Sequence, residues 1–231
     1  MRYLVSASAG IILSAIIATS AAAQSFPFSF GGSSSFIGGP DRIVLGFGMP
    51  FPDDSRTVDS FGNPEDIIIG NALGLLLAMT WFSGGGGGSY SSSSVPVLAY
   101  SIGIEHENNS VDAFRQAGGA VFPTDGSSTF TGIFFGVGYE SPLGGGYSSS
   151  SVAVPSFGAA INIGYGWAAV DGFGGAFQTD GSGIYGRADA YLAIPLAGGM
   201  LLSPGVSYRI FDYGTIEDSG FLGFLRLSIP M

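Results

Sequence analysis

The sequence contains no cysteine, a single histidine and few charged residues of any kind. Without cysteine no disulfide can form, so the folded chain must be stable without covalent cross-links. Charged residues make up 10% of the chain, whereas a typical soluble domain has about 25%, so its surface cannot face water everywhere. Seven basic residues, all arginine, stand against 17 acidic ones, for a net charge of −10. This balance argues against nucleic-acid binding, which requires a basic surface.

The N-terminus has the form of a secretory signal peptide. Arg2 supplies the positive charge, an apolar stretch follows, and three alanines at 21–23 fit a small-residue cleavage site. The alternative is a retained membrane anchor. We therefore expect a signal peptide at 1–23, a periplasmic lead-in at 24–40 and one folded domain at 41–231.

Apolar residues alternate with small or polar residues along most of the remaining chain. Between 184 and 194, Ile184 and Leu192 fall on one face, while Arg187 and Asp189 fall on the other. This period of two, together with 40 glycines, indicates β-structure with closely packed backbones. The pattern predicts eight strands, and an extra pair remains possible if Phe26–Phe30 is also a strand. The predicted strands are 41–49, 66–82, 95–106, 128–139, 152–168, 184–194, 200–211 and 220–230.

Two folds produce such alternation, a soluble sandwich with an apolar interior and a membrane barrel with an apolar exterior. The non-apolar face here is mostly Gly, Ala and Ser with a few charges, which suits a narrow barrel interior better than a water-facing surface. An arginine on the lipid side would cost about 2–4 kcal/mol at the bilayer midplane, and the bilayer requires a closed sheet. The sequence thus predicts an all-β, eight-stranded antiparallel up-and-down transmembrane barrel. Its predicted lumen charge network consists of Arg42, Glu105, Arg187, Asp189, Arg209 and Arg226.

The connections between the predicted strands are of two kinds. One set is rich in Gly and Ser and almost uncharged, whereas the other carries most of the acidic residues. Outer-membrane barrels have short periplasmic turns and longer outer loops, so the acidic segments 50–65, 107–127 and 170–182 are expected to be outer loops. They are interpreted as a solvated face, or alternatively as a surface that bridges to lipopolysaccharide through divalent cations.

With these features the chain resembles the small bacterial outer-membrane β-barrels of the opacity and outer-membrane-protein-A type. The resemblance rests on the signal peptide, the strand alternation, and a last strand with apolar residues at every second position, from Phe221 to Ile229. It implies insertion by the barrel assembly machinery into the bacterial outer membrane, among lipid and lipopolysaccharide. It also implies a role in envelope structure, surface adhesion or host contact, and rarely catalysis.

No catalytic, cofactor-binding or metal-binding residues are assigned, and we expect a non-enzyme. His106 lies between Glu105 and Glu107, but in a strand it points away from both carboxylates. The expected function is structural or surface-interacting, acting through the acidic outer loops on an unidentified surface ligand. The alternatives are a secreted, Gly/Ser-rich, self-assembling β-protein and a narrow solute channel. Eight strands leave room only for side chains in the interior, which disfavours a wide pore.

Overall fold

The computed structural model describes residues 40–50, 55–60, 63–83, 97–116, 118–143 and 154–231. The predicted signal peptide, the lead-in and the possible extra strand at Phe26–Phe30 lie outside the described residues, and so do most of the Gly/Ser-rich turns. Among the residues described, no helix has the length and apolar character needed to cross a membrane. The described unit, Asp41–Pro230, is built almost entirely of antiparallel strands.

The sheet contains nine strand segments that occupy eight positions. Strands β1 and β2 both pair with β3 on one side and β9 on the other, so together they form one interrupted strand. The other segments follow in chain order, each paired with the next. The segments are β1 (Arg42–Pro50), β2 (Ser55–Ser60), β3 (Asn63–Phe82), β4 (Val97–Gln116), β5 (Val121–Pro142), β6 (Ser156–Gly172), β7 (Phe177–Pro195), β8 (Leu201–Asp212) and β9 (Ile216–Pro230).

The sheet closes on itself, because the interrupted strand pairs with both β3 and β9. Starting at Ile43, the paired residues can be followed from strand to strand around the ring, and they lead to Ser219 on β9. Ile43 itself, however, pairs with Ile229 on β9. The ring is therefore staggered by ten residues. With eight strands, this stagger corresponds to a tilt of about 40° from the barrel axis. The predicted fold class is confirmed.

The middle of the barrel presents apolar side chains to the outside. On β6 this band runs from Phe157 to Trp167, both exposed, which is about 33 Å along the strand and about 25 Å along the tilted axis. That height matches the apolar band of outer-membrane barrels, about 25 Å. One exposed example from each of β3 to β8 is given by Leu75, Ile102, Ile133, Ile161, Ile184 and Val206.

The outer end of the barrel is the end opposite Arg42 and Pro230. There the arrangement is reversed, with polar side chains facing outward and apolar side chains facing inward. The strands continue beyond the apolar band with exposed carboxylates outside and a buried apolar cluster inside. This arrangement is that of a water-soluble barrel, whose hydrocarbon side chains must be shielded from solvent on the inside. The exposed carboxylates belong to Asp112, Asp125, Asp180, Asp212 and Glu217. The cluster includes Ile67, Val111, Phe114, Val170 and Ile216.

The predicted outer loops are mostly strand. Residues 107–116 and 121–127 extend the β4–β5 hairpin, only 173–176 separate β6 from β7, and segment 50–65 contains β2. Charged residues are typical of loops, but here apolar side chains between them, such as Val111, Phe114 and Val170, enter the apolar cluster and stabilise the strand extensions. The stretch 67–82, predicted as most of the second strand, forms part of β3.

Candidate functional site

The lumen holds all six residues of the predicted charge network. Each is on an inward-facing position of its strand. Five are buried, with Arg187 at 5% and Arg209 at 4% exposure, and Arg226 is partly buried. The six residues do not form one cluster. They fall into three layers along the barrel, one at the inner end, one in the middle and one below the apolar cluster at the outer end.

The middle layer is centred on Asp189 of β7. Its Oδ1 forms an ion pair with Arg187 Nε at 3.0 Å, and its Oδ2 accepts hydrogen bonds from Arg226 Nη2 at 2.8 Å and from Asn162 Nδ2 at 3.0 Å. Arg187 also donates through Nη1 to Oε2 of Glu105, which lies on β4 across the lumen. Four of the six predicted residues thus form one continuous layer that ties β4 to β7 and β9.

The outer layer surrounds Arg209 of β8. Its Nη2 contacts Glu107 Oε2 at 2.7 Å and Asp218 Oδ2 at 3.1 Å. Asn109 Nδ2 donates to Glu107 Oε1 at 2.5 Å. Glu107 was expected in the acidic outer loop 107–127, and this expectation is wrong because Glu107 is buried in the lumen, as is Asp218. The alternation would have revealed Glu107, which shares its strand face with Glu105.

The inner layer pairs Arg42 of β1 with Glu140 of β5. Arg42 Nη1 lies 3.6 Å from Glu140 Oε2, and the Tyr191 hydroxyl donates to Glu140 Oε1 at 3.0 Å. The sequence analysis missed Glu140, Asn162 and Tyr191. Glu140 could have been found from its alternation with the outward-facing Tyr139, but the hydrogen-bond partners depend on the stagger of the ring.

Each of the four lumen arginines also lies over an aromatic ring. The distances from guanidinium carbon to ring centroid are 4.4 Å for Arg42 over Phe82, 4.6 Å for Arg187 over Phe134, 4.4 Å for Arg209 over Phe130 and 3.8 Å for Arg226 over Phe224. A buried cation gains most from such a contact, since water does not screen the ring quadrupole. Each arginine is therefore held by a carboxylate and a ring, which fixes its position in the lumen.

Glycine makes room for these large side chains. A Cβ on Gly164 would lie 2.4 Å from the backbone oxygen of Ile133 and 2.4 Å from Tyr185 Cε1, and a Cβ on Gly132 would lie 2.7 Å from the Tyr185 hydroxyl. Tyr185 is itself nearly inaccessible. Gly132 of β5 and Gly164 of β6 are thus explained by the aromatic ring of Tyr185 on β7, which occupies the space beside them.

Two small cavities remain between the layers. The larger, about 60 Å³, is lined by residues of the inner and middle layers, including Arg42, Glu140 and Asp189. The smaller, about 40 Å³, lies between the middle and outer layers, near Glu105 and Arg209. A water occupies roughly 10–15 Å³ by this measure. The cavities therefore have room for a few waters each but not for an organic solute.

His106 lies on the outside of the barrel, half-buried, with Nδ1 2.8 Å from Thr131 Oγ1. Its neighbours Glu105 and Glu107 point into the lumen, so the three side chains do not form an acid–base group. Within the described part of the chain, no three histidine or acidic residues are grouped so that they could hold a metal ion.

The fold was compared with known proteins. No protein-family model matches the sequence, and no curated protein matches it. The structure is similar to that of Ail, the attachment invasion locus protein of Yersinia pestis, which was also solved with the heparin analogue sucrose octasulfate. The identity is 12%, over 81% of this chain and 94% of that chain, with a TM-score of 0.38.

Two further structures show a weaker likeness. The outer membrane protein AlkL, solved in DMPC bilayers, is 16% identical over 88% of this chain and 92% of that chain, with a TM-score of 0.33. The translocator domain of the autotransporter NalP from Neisseria meningitidis is 12% identical over 98% and 97%, with a TM-score of 0.22. The assignment of the fold rests on this chain's own barrel. Its closed ring, apolar outer band and charged, filled lumen are those of a small bacterial outer-membrane β-barrel.

Proposed function

We propose that this protein is a closed surface-interaction protein of the outer membrane, which acts through the part that projects beyond the bilayer and does not transport solutes. The observation that carries the proposal is the filling of the lumen. Three layers of charged side chains and an apolar cluster occupy it from end to end within the described residues. A solute would have to break buried ion pairs and separate packed aromatic rings, for example Phe130 and Phe211, whose centroids are 5.2 Å apart.

The projecting part supports an interaction role. Its wall continues for several residues above the apolar band and exposes carboxylates such as Asp112, Asp125 and Asp180. These side chains do not pack in the barrel interior, because the interior is filled by side chains on the opposite face of the same strands. Acidic side chains on a surface favour contact with cationic groups, either on a protein or through divalent cations between the barrel and lipopolysaccharide phosphates. Lipopolysaccharide is a proposed partner because of these acidic side chains and the family resemblance. The barrel assembly machinery is a proposed partner because of the family resemblance.

The experiment compares a deletion strain with strains that express the wild-type chain or the variant D112N/D125N/D180N. We expect the deletion strain to lose attachment to surfaces, and the neutralised variant to restore it only in part. The amount of folded barrel in the outer membrane should stay unchanged, as judged by migration on gels before and after heating. Full attachment by the deletion strain would contradict the proposed function.

A narrow channel is the second candidate, because the two lumen cavities lie one above the other. Reconstitution in planar bilayers distinguishes it from the closed barrel. We expect no stable conductance from the wild-type protein, under conditions in which a general porin conducts. Reproducible single-channel steps from the wild-type protein would favour the channel over the closed barrel.

A further inference from the structure

The outer mouth of the barrel ends in exposed aromatic side chains. Phe122 of β5 and Phe173 of the β6–β7 turn have 42% and 46% of their surface exposed. Phe173 stacks on the buried Phe114 with centroids 5.4 Å apart, and Phe122 is the register partner of Phe114. Phe122 and Phe173 therefore both lie next to Phe114, one as its backbone partner and one as its ring contact, and we call them the outer-mouth patch.

Contact with the bilayer does not explain this patch. On β5 the lipid-facing residues end at Ile133, and the same face then carries Thr131, Thr129, Ser127 and Asp125. Phe122 lies eleven positions before Ile133 in the chain, which corresponds to about 36 Å of strand and more than about 20 Å along the axis. A polar wall thus separates the patch from the membrane, and apolar surface rimmed by polar residues is typical of interaction sites.

The backbone at Phe173 is strained. Its φ is 52°, in the left-handed region, and it is followed by Gly174 and Gly175 with φ of 66° and 88°. This conformation is unfavourable for a residue with a Cβ, whereas glycine adopts it freely. Glycine would therefore suit position 173 better than phenylalanine. The stack on Phe114 covers only part of the ring, and strain of this kind is found mostly at functional sites.

The charge around the mouth indicates which partner fits. Among the side chains that the structure describes, the exposed charged ones of the projecting wall are five carboxylates and Arg115. A second copy would bring the same negative charge, so self-association through this end is opposed by repulsion. A positively charged partner is attracted, and attraction between complementary surfaces raises the rate of encounter.

We propose that the outer-mouth patch docks a cationic, apolar segment of a partner protein. One or two aromatic or aliphatic side chains of the partner pack against Phe122 and Phe173, while its basic residues face the surrounding carboxylates. The inference deepens the proposed surface-interaction function, on which it rests, by naming the anchor residues and the chemistry of the partner.

The test measures peptide binding to the barrel in phosphatidylcholine nanodiscs, by fluorescence anisotropy, with empty nanodiscs as background. The probe is a labelled 18-residue amphipathic peptide of Lys, Leu and Trp. One control peptide replaces Lys by Glu, and a second replaces Leu and Trp by Ser. We expect only the Lys/Leu/Trp peptide to bind, and we expect its affinity to fall at high salt because screening weakens the attraction.

The variants distinguish binding at the outer-mouth patch from nonspecific binding of the peptide to apolar surface. Phe173→Gly removes the ring and relieves the left-handed strain, so it should fold at least as readily and bind the peptide at least ten-fold more weakly. Phe122→Ser should weaken binding to a similar degree. Leu196→Ser is the matched control, since it removes an exposed apolar side chain at the inner end, and it should leave binding unchanged.

Three results would overturn this inference: no binding by the wild-type barrel, equal binding of the Glu peptide, or wild-type affinity in folded Phe173→Gly. The proposed function is judged separately. If the deletion strain loses attachment but the peptide does not bind, the docking inference fails and the surface-interaction function stands. If the deletion strain attaches normally, the surface-interaction function fails regardless of the peptide.

Discussion

Asp189 allows a direct test of the lumen network, because it joins two arginines in the middle of the barrel. Its carboxylate forms ion pairs with Arg187 at 3.0 Å and with Arg226 at 2.8 Å, and these two arginine side chains are 4% and 13% exposed. In Asp189→Leu both guanidiniums stay in the lumen after their shared carboxylate is gone. Removal of one member of a buried ion pair typically costs about 3–5 kcal/mol. We therefore expect the free energy of unfolding to fall by about that amount.

A double variant isolates the charge from the packing. The double variant Asp189→Leu/Arg226→Met removes the charge of Arg226 together with the carboxylate that compensates it. Arg187 retains its ion pair with Glu105. Replacement of a whole buried pair by apolar residues is often nearly neutral. The double variant should therefore recover much of the stability lost in the single variant. Asp180→Leu is the control, since Asp180 lies on the exposed wall, and it should change stability by less than about 0.5 kcal/mol.

The assay is urea unfolding of the barrel in lipid vesicles, followed by tryptophan fluorescence and by the shift on gels between folded and heated protein. The reasoning would be refuted if Asp189→Leu unfolded at the same urea concentration as Asp180→Leu. It would also be refuted if the double variant were less stable than the single one, because the arginine would then not be the source of the penalty.

Two further predictions concern the walls of the barrel. Gly164→Ala should lower the free energy of unfolding by about 1–3 kcal/mol in the same urea assay, because the new methyl group would overlap Tyr185. Gly186→Ala is the control and should be tolerated, since its Cβ would have its nearest contact at 3.7 Å. Equal effects of the two substitutions would contradict the packing of the lumen. The chain has no native cysteine, so single-cysteine variants report position cleanly. A fluorophore on Ile161→Cys, a site 73% exposed on the apolar band, should be quenched by brominated lipid, whereas Asp180→Cys should react rapidly with a water-soluble maleimide; the reverse pattern would exclude the membrane orientation.

The outer and inner faces could be predicted from sequence because strand geometry is local. Successive side chains of a strand point to opposite faces, so the position of Ile184 and Arg187 on opposite faces follows from their spacing alone. The same alternation predicted the closed barrel, since only a closed sheet satisfies its backbone groups in a bilayer. The structure places all six predicted lumen residues inside.

The acidic segments show where composition misled the prediction. Asp and Glu are uncommon in strands, and their density at 107–127 and 170–182 favoured loops. In the structure these residues alternate with Val111, Phe114 and Val170, which enter the apolar cluster. The gain from burying that cluster outweighs the weak local preference, and the strands therefore extend to tight turns.

By itself the sequence determined the strands, their two faces and the closure of the sheet, because these depend on residue spacing and on the solvent that each face requires. Only the tertiary structure decided which charges meet. Arg187 pairs with Glu105 across 82 residues of chain, and Arg209 lies between Glu107 and Asp218 because the ring is staggered by ten residues. That stagger is a property of the whole closed sheet, since it results from the sum of all the strand registers, and no single segment encodes it.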